Sequence, residues 1–139
     1  MKLEGEQTLL RVYLRNTDKY GWWRLAADTL DGVMPSAIAI ASETAKIGSR
    51  AAGIKVAVNP FAQAATLDAA REAFGPLSDA IIAFARGAEV TFGDNVNAAY
   101  CPMARKYWIQ KGETIANPYY GRKMADCGRI VPDLPATDK

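Results

Sequence analysis

The stretch LDAAREAFGPLSDAIIAFARG, residues 67–87, has the clearest periodicity in the chain. Its apolar residues recur at alternating intervals of three and four, which is the spacing of one helix face. Thr66 or Gln63 is a suitable start and Gly87 a suitable end, so a long amphipathic helix is predicted. Pro76 removes one backbone hydrogen bond, and a kink or short break is expected there. The predicted stripe is Leu67, Ala70, Phe74, Leu77, Ile81 and Phe84.

Further helices are predicted upstream of this stretch. Residues 6–30 favour helix, and two shorter helices or a strand followed by a helix are the alternatives. Pro35 suits the first turn of the next helix, which is expected to end near Gly53. Asn59-Pro60 then predicts a turn. The stripe predicted for the Pro35 helix is Met34, Ile38, Ala41, Ala45 and Gly48.

The sequence changes character after Gly87. The segments EVTF, NAAYC and KYWIQ are rich in β-branched or aromatic residues, which favours a small hairpin or irregular extended segments. Asn117 and Pro118 are a suitable N-cap and first-turn residue for a final short helix, PYYGRKMADC, closed by Gly128. Residues 132–139 contain two prolines and are expected to be loose.

The predicted fold class is therefore mainly α, a small antiparallel helical bundle with a short extended or hairpin segment and a final short helix. Residues 1–24 form an N-terminal segment with no clear assignment. Residues 25–131 are expected to form the helical domain, and residues 132–139 a flexible tail. A chain of 139 residues, half of them hydrophobic, is long enough for one domain with its own core.

Charge and composition exclude several classes of function. Lys and Arg number 17 against 15 Asp and Glu, and their scattered positions are not the basic stripe of a nucleic-acid binder. No apolar run is long enough to cross a bilayer, and the beginning of the chain does not have the pattern of a secretory signal. The chain has no histidine, which removes Ser-His-Asp and Cys-His catalysis and His-based zinc sites. We therefore do not expect an enzyme.

The sulfur-containing residues are concentrated in residues 99–128, which hold both cysteines and two of the four methionines. Cys101 and Met103 would share one side of an extended segment, and Met124 and Cys127 one face of a helical turn. Thiolates and thioethers are soft ligands that select Cu(I), so these residues are a candidate site for Cu(I) or Ag(I). The alternatives are a disulfide, worth roughly 3 kcal/mol, or two buried free thiols.

The motifs YCPMA, YWI and I-x-NPYYG-x-KM-x-x-CG follow one another within residues 100–128. This order resembles the DUF3347 family, a bacterial domain of unknown function found alone or at the C-terminus of copper and silver efflux adaptors of the membrane-fusion type. The resemblance spans about residues 25–131, although the segment between CPMA and YW is shorter here. The matching positions are Cys101, Pro102, Met103, Ala104, Trp108, Ile109, Ile115, Asn117, Pro118, Tyr119, Tyr120, Gly121, Met124, Cys127 and Gly128.

The resemblance implies a periplasmic or cell-envelope domain that handles copper or silver in storage, sensing or delivery. A copper or silver efflux adaptor, or another envelope protein, is the expected partner, and a cytoplasmic location is the alternative. Cys101 and Cys127 are expected to be the principal metal ligands, with Met103 and Met124 as auxiliary ligands. The rival interpretation is a disulfide-stapled structural or protein-interaction domain without metal.

Two further residues are assigned a supporting role in this prediction. Asn117 and Pro118 are expected to fix the helix that presents Met124 and Cys127. A bound ion and a disulfide are distinguished by sulfur geometry, because a disulfide requires an S–S distance near 2.05 Å. A metal site requires separate sulfurs directed at one position.

Overall fold

The structure is a computed structural model, and it describes residues 2–17, 19–88, 95–121, 124 and 126–131. This part of the chain contains four α-helices: α1, Lys2–Leu14; α2, Val33–Ile47; α3, Ala52–Ala62; and α4, Leu67–Ala88. Two 3-10 helices, Trp22–Ala27 and Ser49–Ala51, connect them. Three strands follow: β1, Val96–Cys101; β2, Lys106–Lys111; and β3, Arg129–Val131. No helix in the described ranges is long and apolar enough to cross a membrane.

The prediction of a mainly α bundle is wrong, because the chain forms a three-stranded antiparallel sheet beside the helices. The strand order is β2-β1-β3, so the central strand β1 has its backbone paired on both edges. Ala98 pairs with Val131 and Tyr100 with Arg129. The buried backbone of β1 needs partners on both sides, and the third strand supplies the second set. The fold is mixed α/β.

The predicted final helix is not an α-helix in the residues that the structure describes. Residues 118–120 form a turn and a bend, and Met124 lies in a 3-10 turn in which its N–H donates to the Gly121 carbonyl at 2.9 Å. Gly128 then leads into β3 with a φ of 137°. A Cβ atom on Gly128 would lie 3.0 Å from the Tyr100 carbonyl oxygen, so the close pairing of the strands requires glycine here. Residues 122, 123 and 125 of the predicted helix, and the predicted tail at 132–139, lie outside the described residues.

The periodicity of residues 67–87 correctly predicted α4. Thr66 caps the helix, since its Oγ1 accepts the Ala69 N–H at 3.0 Å. The helix continues through Gly75 and Pro76, so of the two predicted effects of Pro76, a kink or a short break, the break is absent. The fully buried members of the predicted stripe are Ala70, Phe74, Leu77 and Ile81.

Two upstream predictions need correction. Asn59 and Pro60 lie inside α3 rather than in a turn, because the helix buries Ile54, Val58 and Phe61 on one face. The stripe predicted for α2 is not its core face, and Ile38 in that stripe is 62 % exposed. An alanine-rich helix is apolar on several faces, so spacing alone does not identify the buried one. The face that α2 buries is Val33, Ser36, Ala37, Ile40 and Thr44.

The predicted helical region at residues 6–30 is divided into α1 and a 3-10 helix, which was one of the stated alternatives. α1 packs into the same core as the other helices, where Leu9 and Tyr13 are fully buried. Trp22 stacks on the Tyr13 ring with a centroid distance of 5.3 Å. Phe74 lies at the centre of the aromatic cluster, 4.9 Å from Trp22 and 5.6 Å from Phe61.

The outer edge of β2 is covered by side-chain hydroxyl groups from three other parts of the chain. Tyr13 of α1 donates to the Ile109 carbonyl at 2.9 Å. Ser78 of α4 and Tyr119 both donate to the Tyr107 carbonyl, at 2.6 and 3.0 Å. An unpaired strand edge invites association with other chains, and these bonds satisfy it inside the molecule. They also attach the sheet to the helices in a fixed position.

Candidate thiol site

The sheet brings the two cysteines together. Cys101 is the last residue of β1, and Cys127 precedes β3, which pairs with β1. The two Sγ atoms lie 3.8 Å apart, and both residues are free thiols. Cys101 is fully buried, whereas Cys127 is half-buried. The predicted disulfide is therefore not formed in this structure, although the two sulfurs are in contact.

The turn between β1 and β2 directs backbone N–H groups at both sulfurs. The Arg105 N–H donates to the Cys101 carbonyl at 2.7 Å, which closes the turn, and Arg105 itself has a φ of 57°. The Ala104 N–H donates to the Cys101 Sγ at 3.4 Å. A backbone hydrogen bond from Met103 reaches the Cys127 thiol. Donors placed around a sulfur favour its thiolate form, which is the form that binds metals.

The contact with the Cys101 thiol opposes ionisation of Cys127. Desolvation by burial raises the pKa of Cys127, and the hydrogen bond and charge of Cys101 raise it further. The charge of Asp126 acts in the same direction, while the Met103 backbone bond lowers the pKa. A cation between the sulfurs would remove this repulsion, because metal binding displaces thiol protons.

The sulfur separation defines the kind of coordination that the pair can provide. With metal–sulfur bonds of about 2.3 Å, as in zinc thiolates, sulfurs 3.8 Å apart subtend an angle of about 110° at the ion. This angle is bent, so one side of a bound ion is left for a third ligand. Within the described ranges, no group of three or more Cys, Asp or Glu side chains could hold a metal. The open side of the ion could accept a thioether or a ligand from another molecule.

The backbones of the two methionines are hydrogen-bonded to Cys127. Met103 is 61 % exposed on the turn between β1 and β2. Met124 is half-buried, and its carbonyl accepts the Cys127 N–H at 3.0 Å. The structure thus brings together the two predicted thiols by their side chains. It places the predicted thioethers in the turns on either side of them.

Asn117 holds the segment that carries Cys127. It is fully buried, and its Nδ2 donates to the Cys127 carbonyl at 2.8 Å. Its Oδ1 accepts the Tyr119 N–H at 2.8 Å, which forms a turn instead of the predicted helix N-cap. Asn117 thus holds Cys127 through its side-chain amide, and not by capping a helix as predicted.

Sequence reasoning missed Gln110, which organises the neighbouring loop. Its Oε1 accepts the Trp108 indole N–H at 2.9 Å and the Ala116 N–H at 3.2 Å. Its Nε2 donates to the carbonyls of Thr114 and Gly112, at 2.8 and 3.1 Å. A glutamine at the end of an aromatic strand was the available signal, but its backbone partners at Gly112, Thr114 and Ala116 depend on the loop conformation.

Aromatic rings form the inner wall beside the thiols. The Trp108 ring meets Tyr119 edge-on at 5.8 Å, and a Cβ atom on Gly128 would lie 3.3 Å from the Trp108 ring. Burial raises the pKa of Tyr119, a bond with Ser78 opposes this, and the charges of Asp79 and Cys101 add to the rise. Cys101 thus belongs to the same buried core as Trp108, while Cys127 packs against that core and gives access from solvent.

Searches with this sequence find no matching family model, no matching curated protein and no matching solved structure.

Proposed function

We propose that this domain binds one soft monovalent ion, Cu(I) or Ag(I), between the thiolates of Cys101 and Cys127. The observation that carries the proposal is the pair of free thiols in contact, with backbone donors directed at both sulfurs. Soft sulfur ligands favour Cu(I) over the harder divalent ions, and the aromatic wall keeps water from one side of the pair. The donor set therefore fits the ion.

The bent arrangement suits transfer of the ion better than permanent enclosure. Two thiolates at about 110° leave a side open, and the half-buried Cys127 lies on the accessible side of the pair. Met124 and the exposed Met103 lie in the turns on either side of the pair and are the candidate third ligands. An incoming sulfur ligand from another protein can occupy the same open position, which is the requirement for delivery.

The resemblance to the DUF3347 family supports a particular cellular setting for this activity. The setting is the cell envelope, with a copper or silver efflux adaptor or another envelope protein as the recipient. The motifs that carry the resemblance, YCPMA and NPYYG-x-KM-x-x-CG, include both thiols and the Asn117 that holds Cys127. The proposal concerns the binding and transfer of an ion and does not include catalysis.

The test is an anaerobic titration of the reduced chain with Cu(I) against a chromogenic chelator. We expect one ion per chain, with Cys101→Ser and Cys127→Ser each weakening the affinity more than tenfold. Met124→Leu and Met103→Leu are expected to have smaller effects that identify the third ligand. Met34→Leu is the matched control, because Met34 is a half-buried methionine of α2 and is expected to change nothing.

Failure of the reduced chain to compete with the chelator, with both thiols titratable, would refute the metal proposal. The rival interpretation predicts a different starting point. In that case the isolated protein would have no titratable thiols before reduction, and the cysteines would act as a structural staple.

A further inference from the structure

The two thiols differ in their access to solvent. Cys101 is fully buried at the end of β1, where Ala104 bonds to its sulfur. Cys127 is half-buried, and it follows the turn at Met124 rather than lying inside a strand. A reagent in solution therefore meets the Cys127 sulfur before it meets the Cys101 sulfur. The two thiols are therefore not equivalent toward a dissolved reagent, and their spacing in the sequence does not show this.

The two sulfurs are in contact but are not at bonding distance. The sulfurs are 3.8 Å apart, and a bond requires about 2.05 Å, so an approach of about 1.8 Å is needed. Cys127 lies in the irregular segment before β3 and can supply this movement by rotating its side chain. The bond would close a loop across 26 residues and join the end of β1 to the start of β3.

We propose that Cys127 and Cys101 form a thiol–disulfide switch, in which Cys127 reacts first with a small disulfide oxidant and Cys101 resolves the product. The inference that this switch controls metal binding rests on the proposed function. A disulfide has no thiolate to offer, so the oxidised chain releases the ion and the reduced chain regains it. The switch thus regulates the same site that binds the ion.

The reaction balances with oxidised glutathione as the oxidant. The Cys127 thiolate attacks one glutathione sulfur, which forms a mixed disulfide and expels one glutathione thiolate. The Cys101 thiolate then attacks the Cys127 Sγ and expels the second glutathione thiolate. Two protons and two electrons leave the protein thiols, and the oxidant becomes two molecules of glutathione.

The test uses the full metal-free chain with a metal chelator present and oxidised glutathione as the probe, followed by intact mass spectrometry. We expect the parent chain to lose two hydrogens without accumulating an adduct. Cys101→Ser is expected to retain one glutathione on Cys127. Cys127→Ser is expected to react at least tenfold more slowly in the folded state, and to react normally at Cys101 in urea.

A second measurement on the parent chain covers the case in which a variant fails to fold. Acid quenching at early times, followed by peptide mapping, is expected to find glutathione on Cys127. Glutathione mainly on Cys101, or equal rates for the two serine variants, would overturn the proposed order. Accumulation of a doubly modified parent chain without an internal bond would overturn the switch itself.

These outcomes are separate from those of the Cu(I) titration, because no metal is present during exchange. Disulfide formation in the stated order without Cu(I) binding by the reduced chain would refute the proposed function and leave a redox staple. Cu(I) binding without disulfide formation would refute the switch alone. If both hold, oxidation is expected to weaken Cu(I) affinity more than tenfold, with recovery on reduction.

Discussion

The helical region and the sheet region of this molecule are held in place by different contacts. Helices α2, α3 and α4 meet through apolar side chains, with Phe74 at the centre of an aromatic cluster. The sheet and its loops depend on buried polar side chains that bind backbone groups. Gln110, Asn117, Tyr13 and Tyr119 all make bonds of this kind.

The two kinds of contact differ in how precisely they position individual atoms. Apolar packing is nearly independent of direction, so it fixes a region as a whole and tolerates small shifts. A buried hydrogen bond fixes a particular atom, and its loss leaves a partner unsatisfied. The thiols lie in the second region, where the Asn117 amide holds the Cys127 backbone. The helical region supports the sheet, and the polar network positions the sulfurs.

The largest predicted effect is the loss of the aromatic centre. Phe74→Ala removes a fully buried ring that contacts Trp22, Phe61 and Tyr119. We expect the free energy of unfolding in urea to fall by about 3–5 kcal/mol. Because Phe74 touches both regions, the helices and the sheet are expected to unfold in one transition.

The matched control is Glu72→Ala, an exposed position on the same helix that is expected to change stability by less than about 0.5 kcal/mol. Two separate transitions in Phe74→Ala, one by far-UV circular dichroism and one by Cys127 thiol exposure, would show that the regions are independent units. That result would contradict the shared core described above.

The contrast between the regions also explains which parts of the fold could be predicted from sequence. Helix α4 has a charged face and an apolar face, and the spacing of its apolar residues identified the buried ones. In α2 the apolar residues surround the helix, and the wrong face was predicted. In α3 the turn signal at Asn59-Pro60 was overridden by the burial of Ile54, Val58 and Phe61. The sequence thus predicted the existence of α4 and α2, whereas the buried face of α2 and the existence of α3 depended on tertiary packing.

A second prediction addresses the polar network directly. Asn117→Ala leaves the Cys127 carbonyl and the Tyr119 N–H without their partner, so we expect a loss of about 1–3 kcal/mol. The change is expected to act locally as well, because Cys127 loses its anchor. Its reaction with a maleimide in the folded state is expected to accelerate more than tenfold.

Asn97→Ala is the control for this effect, since it removes one bond to the Gly112 carbonyl at the other end of the hairpin. We expect it to cost about 1 kcal/mol without a change in thiol reactivity. Equal acceleration in both variants would indicate general loosening of the sheet, and it would contradict a specific role of Asn117.

The site itself could be predicted only in part, for a related reason. Both cysteines were identified from their chemistry, because two thiols with nearby thioethers are unusual in a short segment. Their contact arises from the pairing of β1 with β3, a strand of three residues too short to recognise from its pattern. The Ala104 N–H that bonds to Cys101 belongs to the backbone, which carries no sequence signal at all. Met103 is exposed because it lies in the turn between β1 and β2, and the residue type alone does not indicate this.

The smallest predicted effect is an alkaline loss of stability caused by the hydroxyl groups on the edge of β2. Burial raises the pKa of Tyr13 and of Tyr119. The unfolded chain releases these protons near pH 10, and the folded chain keeps them at higher pH. The stabilisation that comes from keeping the two tyrosines protonated is therefore fully present below about pH 10. Above it, each tyrosine is expected to reduce the free energy of unfolding by about 1.4 kcal/mol per pH unit.

Tyr119→Phe and Tyr13→Phe separate this titration from the hydrogen bonds. Without Tyr119, the Tyr107 carbonyl still accepts the Ser78 hydroxyl at 2.6 Å, so we expect little loss at pH 7. Tyr13→Phe removes the donor to the buried Ile109 carbonyl and is expected to cost about 1–3 kcal/mol. Both variants are expected to lose stability less steeply than the parent in urea unfolding between pH 10 and 11. Parallel curves for parent and variants would mean that the phenols ionise in the folded state, and that the β2 edge is open to water.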